Sequence, residues 1–151
     1  MAVKLIASDL DGTLLTNKKE LSPRTREALD LAAAQGIYLV PATGRSFESV
    51  PEMIREYPGV EYLITANGGA VYSVSEKKRI YQCLMTPESV EAAIAVRKRE
   101  KMVMEVVIDG VPYAEEDYVR DPLSYLATEY GARYIKATRT PVKDIIEFAT
   151  Q

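Results

Sequence analysis

The chain has 151 residues, of which 27% are charged and 47% hydrophobic, a globular composition long enough for one ordinary domain or a small one plus part of another. With 19 Lys and Arg against 22 Asp and Glu the net charge is −3, so no basic field draws it to nucleic acid; the absence of His removes Ser-His triads, His general bases and most zinc sites. A single cysteine, Cys83, allows no internal disulfide, no signal-like segment opens the chain, and no apolar run approaches the roughly 20 residues of a membrane helix, so a soluble, cytoplasmic protein with neither nucleic-acid nor membrane partners is expected.

The first element is the run Val3-Lys4-Leu5-Ile6-Ala7, almost continuously apolar and therefore read as a buried strand. Ser22-Pro23 supplies an N-cap and a preorganised first residue for a helix that Gly36 ends, with Leu21, Ala28, Leu29 and Ala32 on one face. Ile37 to Ala42 is a second strand, with Pro41 marking its end or a disturbed position. Ser46 opens a second helix carrying Phe47, Val50, Ile54 and Tyr57 on one face, ended by Pro58-Gly59, and Tyr62 to Thr65 is a third strand. Strand, helix, strand, helix, strand at this spacing predicts right-handed crossovers and a parallel sheet with three strand ends pointing one way.

After Asn67-Gly68-Gly69 the pattern changes. Ala70 to Val74 and Arg79 to Leu84 read as a hairpin about Ser75-Glu76-Lys77-Lys78. Thr86-Pro87 starts a helix with Val90, Ala93 and Ile94 on one side, running into the basic cluster Arg97 to Lys101, which reads as a solvated helix end. Met102 to Ile108 and Val111 to Ala114 form strands about Asp109-Gly110, giving this half an antiparallel character. Asp121-Pro122 opens a last helix that Gly131 closes, and Tyr134-Ile135 is one more short strand. The composition shift near Cys83 is the expected boundary, dividing the chain into 1–83 and 84–151.

The chemistry concentrates where the first strand ends, in Asp9-Leu10-Asp11-Gly12-Thr13. Ligands of open α/β sheets bind beyond the carboxyl ends of the strands, so Asp9 is placed to meet one. A carboxylate can accept a phosphoryl group if the dianion is neutralised, and Mg²⁺, an oxygen-seeking cation held by one or two carboxylates, waters and the phosphate, does this. Asp9 suits both nucleophile and metal ligand; Asp11 is placed to protonate the leaving alkoxide and then to take a proton from the hydrolytic water. Gly12 allows the tight turn and the Thr13 hydroxyl can tie the loop. Thr43-Gly44-Arg45, after the second strand and before a helix, suits a phosphate through a hydroxyl, close backbone approach and positive charge. Asn67-Gly68-Gly69 occupies the matching place after the third strand.

Each motif also has an ordinary reading. An Asp pair after a strand is often only a turn with local Asx hydrogen bonds, Thr43-Gly44-Arg45 alone is a strand-to-helix turn, and Asn67-Gly68-Gly69 is first of all a backbone device. Their coincidence at successive strand ends favours a site. A calcium loop fails because Gly12 directly follows Asp11 and Leu14-Leu15 offer no oxygen.

The motifs DLDGTLL at 9–15, ATGR at 42–45 and TANGGAV at 65–71 resemble the haloacid dehalogenase superfamily, in particular its Cof-like branch with a large α/β cap inserted after the third strand. The resemblance implies a partial Rossmann-like parallel core over 1–83 and the first part of an α+β cap over 84–151. It implies a Mg²⁺-dependent phosphatase acting through an aspartyl-phosphate on a small phosphorylated metabolite such as a sugar phosphate. Asp9 becomes nucleophile and metal ligand, Asp11 the acid/base whose backbone carbonyl also meets the metal, and Leu10 a backbone N–H donor. Thr43 and Gly44 become the phosphate clamp, with Arg45 and Asn67 as further phosphate-site residues. The Lys and the Gly-Asp-x-x-x-Asp segment of the family pattern are not in these 151 residues, so the chain is expected to stop inside the cap and to be inactive or impaired alone. The alternative is a non-catalytic binding or assembly module that keeps the phosphate and Mg²⁺ crevice. By the family's strand order the edge at Val3 to Ser8 is left open, so a homodimer, a swapped assembly or poor solubility is expected.

Overall fold

The computed structural model describes residues 2–100 and 102–150 and divides the chain into two compact units, Met1–Cys83 and Leu84–Gln151. Lys101, the last residue of the basic cluster, lies outside the described residues. Among them no helix is long and apolar enough to cross a membrane.

In the first unit β1 (Leu5–Ser8) is followed by α1 (Pro23–Ala34), β2 (Tyr38–Pro41), a 3₁₀ turn (Phe47–Ser49), α2 (Glu52–Arg55) and β3 (Tyr62–Thr65). The hairpin β4 (Ala70–Ser73) and β5 (Lys78–Gln82) completes it. β1 and β2 pair in parallel, with Leu5 opposite Tyr38 and Ser8 opposite Pro41. Parallel bridges Leu39 to Val60 and Ala42 to Ile64 carry the pairing on to β3, and β4 and β5 add antiparallel strands. The expected α/β architecture with a parallel sheet is present.

The predicted caps of α1 hold. Ser22 Oγ accepts the Thr25 N–H at 3.1 Å. At the other end Gly36, at φ 70°, and Ile37 donate to the Ala33 and Ala32 carbonyls at 2.9 and 3.1 Å, a Schellman closure that the left-handed glycine permits. Leu29, Ala32 and Ala33 face the core with buried Leu10, Leu15, Leu39, Val50, Ile54, Tyr57 and Leu63, while Ala28, expected on that face, is exposed. The Tyr57 hydroxyl donates to Asp30 Oδ1 at 2.6 Å, fastening the segment after α2 to α1.

Two expectations for this unit are corrected. The single helix expected from Ser46 to Tyr57 is a 3₁₀ turn and a four-residue α2, because Val50 and Pro51 adopt extended backbone (ψ 128° and 137°) and break the ladder. Its apolar face survives, with Val50, Ile54 and Tyr57 all buried. The first strand, read as buried, is exposed: Val3 lies outside it at 63% exposure, and Leu5 and Ile6 are 50% and 38% exposed. Among the described residues β1 pairs with β2 alone, so a run apolar on both faces lacks the covering that such a sequence is suited to.

The second unit contains α3 (Pro87–Glu100), β6 (Glu105–Ile108), β7 (Val111–Glu115), α4 (Glu116–Arg120), a 3₁₀ turn (Pro122–Ser124), α5 (Glu129–Thr138), β8 (Thr140–Val142) and α6 (Ile145–Ala149). β6 and β7 form the expected hairpin about Asp109 and Gly110, both at positive φ (50° and 86°). β8 then joins β7 in parallel, so the unit is mixed rather than antiparallel. The helix expected from Asp121 to Gly131 is only the 3₁₀ turn. The true helix begins after Thr128, whose Oγ1 accepts the Gly131 N–H at 3.1 Å, so Gly131 lies in the first turn rather than at a C-terminus. A Cβ at Gly131 would sit 3.0 Å from that hydroxyl. Tyr134-Ile135, expected as a strand, lies inside α5, where Ile135 packs on Ala114 and Tyr118. Arg97 in the last turn of α3 pairs with Glu115 at 2.7 Å.

Gly59 closes the first unit between α1 and β2. Its carbonyl accepts the Leu39 N–H at 2.9 Å, its φ is 85°, and a Cβ there would lie 2.8 Å from Ala33 Cβ. Gly59→Ala meets both a steric and a backbone penalty and is expected to destabilise the protein by about 2–3 kcal/mol in urea unfolding.

Candidate active site

Leu10 has no exposed side-chain surface and belongs to the first unit's core, while Asp9 and Asp11 on either side are exposed. The loop turns at Gly12 (φ 85°) and is tied back by the Leu15 N–H on the Leu10 carbonyl at 2.8 Å and the Leu14 N–H on the Asp9 carbonyl at 3.3 Å. The Thr13 hydroxyl donates to Asp9 Oδ2 at 3.4 Å, at the long end of hydrogen bonding. A buried leucine thus fixes two outward carboxylates at the mouth of β1.

The second loop is brought alongside by the parallel pairing. The Ala42 N–H donates to the Ser8 carbonyl at 2.9 Å, and the Thr43 N–H to the Ile64 carbonyl at 2.9 Å. Thr43 is buried, and its Oγ1 accepts the Arg45 N–H at 3.2 Å. Arg45 reaches back to Asp11 with a two-pronged contact, Nε to Oδ2 and Nη2 to Oδ1, both at 2.8 Å, and its Nη1 donates to the Ser49 carbonyl at 2.8 Å. The helix N-terminus expected to attract an anion after Arg45 is replaced by the short 3₁₀ turn, so any anion here depends on the loop's own donors and side chains.

The third loop closes on the second. Ala66 and Asn67 N–H groups donate to the Arg45 and Thr43 carbonyls at 2.8 and 3.2 Å. Ala66, Asn67 and Gly68 all have positive φ (50°, 55° and 93°). Asn67 packs against Gly44 so closely that a Cβ at Gly44 would stand 2.7 Å from Asn67 Oδ1. Gly44 is therefore required by contact with the third loop.

Sequence reasoning missed Lys19. Its Nζ lies 2.7 Å from Asp11 Oδ1, the oxygen that also receives Arg45 Nη2. The signal was a basic residue in the turn directly after the Asp loop; its left-handed backbone (φ 63°) is invisible in the sequence. The Arg45 fork, opposed by partial burial and supported by Lys19, holds the Asp11 carboxyl well below the usual carboxylate range. Asp11 is thus ionised in this arrangement. Among the described residues no three His, Cys, Asp or Glu side chains gather to hold a metal. The Asp9 and Asp11 pair is an all-oxygen donor set, which fits a hard cation that keeps waters and takes its remaining ligands from a phosphate.

Curated relatives and solved structures match the chain, among them the following three. It is 39% identical over 70 residues to a 5-amino-6-(5-phospho-D-ribitylamino)uracil phosphatase of Bacillus subtilis, covering 46% of this chain and 28% of the relative. It is 35% identical over 107 residues to an HMP-PP phosphatase of Klebsiella pneumoniae, covering 71% of this chain and 39% of the relative. A haloacid dehalogenase-like hydrolase from Bacteroides thetaiotaomicron superposes with a TM-score of 0.69 at 27% identity, over 97% of this chain and 54% of that one. The matched stretches cover well under half of these curated relatives, and the chain covers about half of the solved structure. Residues 6–150 match the family of haloacid dehalogenase-like hydrolases, and the chain belongs to that family.

Proposed function

We propose that the chain carries the nucleophile half of a Mg²⁺-dependent phosphatase site acting on a small phosphorylated metabolite such as a sugar phosphate. The observation that supports this best is the convergence of Asp9, Asp11 and the Thr43-Gly44 loop at the ends of adjacent parallel strands. Met1–Cys83 is the N-terminal part of the core and Leu84–Gln151 the first part of a cap. An exposed free thiol at Cys83 supports a reducing, cytoplasmic setting.

In this reading an Asp9 oxygen attacks phosphorus, the ester P–O bond breaks, and the leaving alkoxide takes a proton from Asp11. Asp11 then removes a proton from the water that cleaves the aspartyl-phosphate and restores Asp9. Its ion pairs with Arg45 and Lys19 hold the carboxylate form needed for the second step; donation in the first requires those pairs to break and Asp11 to have taken up a proton, from solvent before the first turnover and from the hydrolytic water in each later one. Mg²⁺, held by the Asp9 carboxylate and the Asp11 main-chain carbonyl, would neutralise charge between Asp9 and the dianion. The Thr43 hydroxyl, the Leu10 and Gly44 backbone and Asn67 line the phosphate's place, and Arg45 positions Asp11.

Turnover needs groups beyond these, so the 151-residue chain is expected to bind inorganic phosphate with Mg²⁺ yet hydrolyse p-nitrophenyl phosphate far more slowly than a full-length relative. Strong Mg²⁺-dependent turnover by the chain alone would overturn that. In any active form, Asp9→Asn should lower kcat by about a thousandfold or more, and an unchanged rate would remove Asp9 as nucleophile.

The exposed β1 strand favours a second reading, a binding or assembly module that pairs this edge with another copy. Light scattering should then find dimers or larger species, and Leu5→Lys should shift them to monomers. A monodisperse wild-type monomer would count against it.

A further inference from the structure

We propose that Lys19 is a phosphate-binding residue: its ammonium, resting on Asp11, transfers to the phosphoryl oxygens of a phosphomonoester held at Asp9. The inference rests on the phosphatase reading of the Asp9 loop. Lys19 sits at the tip of a five-residue turn clamped at its base by buried Leu15 and Leu21, which bridge each other. Within the turn the Thr16 N–H donates to the Glu20 carbonyl at 2.9 Å and the Lys19 N–H to the Thr16 carbonyl at 2.8 Å. Glycine or asparagine would adopt the left-handed backbone at this position more readily than lysine. A long cationic side chain there, aimed back at the carboxylates rather than into solvent, calls for a reason other than turn formation.

The charges supply it. Asp11 is already satisfied by the Arg45 fork, and Lys19 adds a second cation to the oxygen that Arg45 Nη2 occupies. Two cations converging on one oxygen repel each other, and an incoming anion relieves that repulsion. Asp9, Asp11, Lys19 and Arg45 sum to zero, so what a dianion at Asp9 gains from Lys19 depends on distance, and it gains most when the ammonium moves from Asp11 to the phosphoryl oxygens. Arg45 is held by three hydrogen bonds, including one to the Ser49 carbonyl. Lys19 meets Asp11 through one nitrogen at the end of a flexible four-carbon stem, whereas Arg45 grips it with a planar fork, so Lys19 reorients toward a phosphate more readily.

The test is a ³¹P NMR titration of inorganic phosphate, with Mg²⁺ present, into the 151-residue chain and its Lys19→Met, Lys19→Gly and Lys19→Arg variants. The expected result is a loss of affinity of about tenfold in the Met and Gly variants, with Arg close to wild type. Lys19→Gly suits the backbone at φ 63° and should keep or raise the thermal midpoint while it loses phosphate. If its midpoint falls together with affinity, Lys19 is structural and the proposal is overturned. If wild type binds phosphate and the Met and Gly variants match it, Lys19 is not a ligand although the phosphate crevice stands. If wild type binds no phosphate, the crevice reading and this inference fail together.

Discussion

The parallel registration of β1, β2 and β3 is the constraint on which the candidate site depends. Hydrogen bonds from Ala42 to Ser8 and from Thr43 to Ile64 bring the carboxyl ends of the three strands level, and each loop begins where its strand stops. A one-residue slip in any pairing would turn the following side chains to the opposite face. Buried Leu39 in β2, Leu63 in β3 and Leu10 just beyond β1 share one core and resist that slip. The loops then lock one another: Arg45 grips Asp11, and Ala66 and Asn67 donate to the second loop's carbonyls. Chemistry at the strand ends thus depends on packing a few residues below it.

The electrostatics of the mouth follow from this arrangement. Two carboxylates turned outward by one buried leucine would repel each other if left alone; Arg45 and Lys19 compensate from separate loops. Asp11 carries the compensation, whereas Asp9 has the long Thr13 contact. The two acids therefore differ in environment although they are two residues apart. The pairing with Arg45 and Lys19 favours the charged form of Asp11, so the two neighbouring carboxylates answer to different partners.

Much of this was legible in the chain. The Asp loop, the Ser22 cap, the Gly36 stop and the alternation of strands and helices all announce themselves through local chemistry, and the structure places them as expected. The failures share a cause, which is that a residue's role depended on partners distant in sequence or on backbone angle. Pro51 broke a helix whose apolar face nonetheless stayed buried. Gly131 read as a terminator because its partner Thr128, three residues earlier, was not recognised as a cap. Lys19 is one of two adjacent lysines, and its left-handed backbone and its contact with Asp11 have no local signature. β1 has the composition of an interior strand, yet burial is decided by neighbours.

The contact between Gly44 and Asn67 has an evolutionary consequence. With 2.7 Å between a hypothetical Cβ at one position and Oδ1 at the other, neither residue can enlarge unless its partner withdraws or shrinks. The two positions, 23 apart in sequence, are expected to vary in step across descendants of this chain. Drift at either one alone would spread the second and third loops apart, so this pair restricts which homologous sequences can keep the crevice.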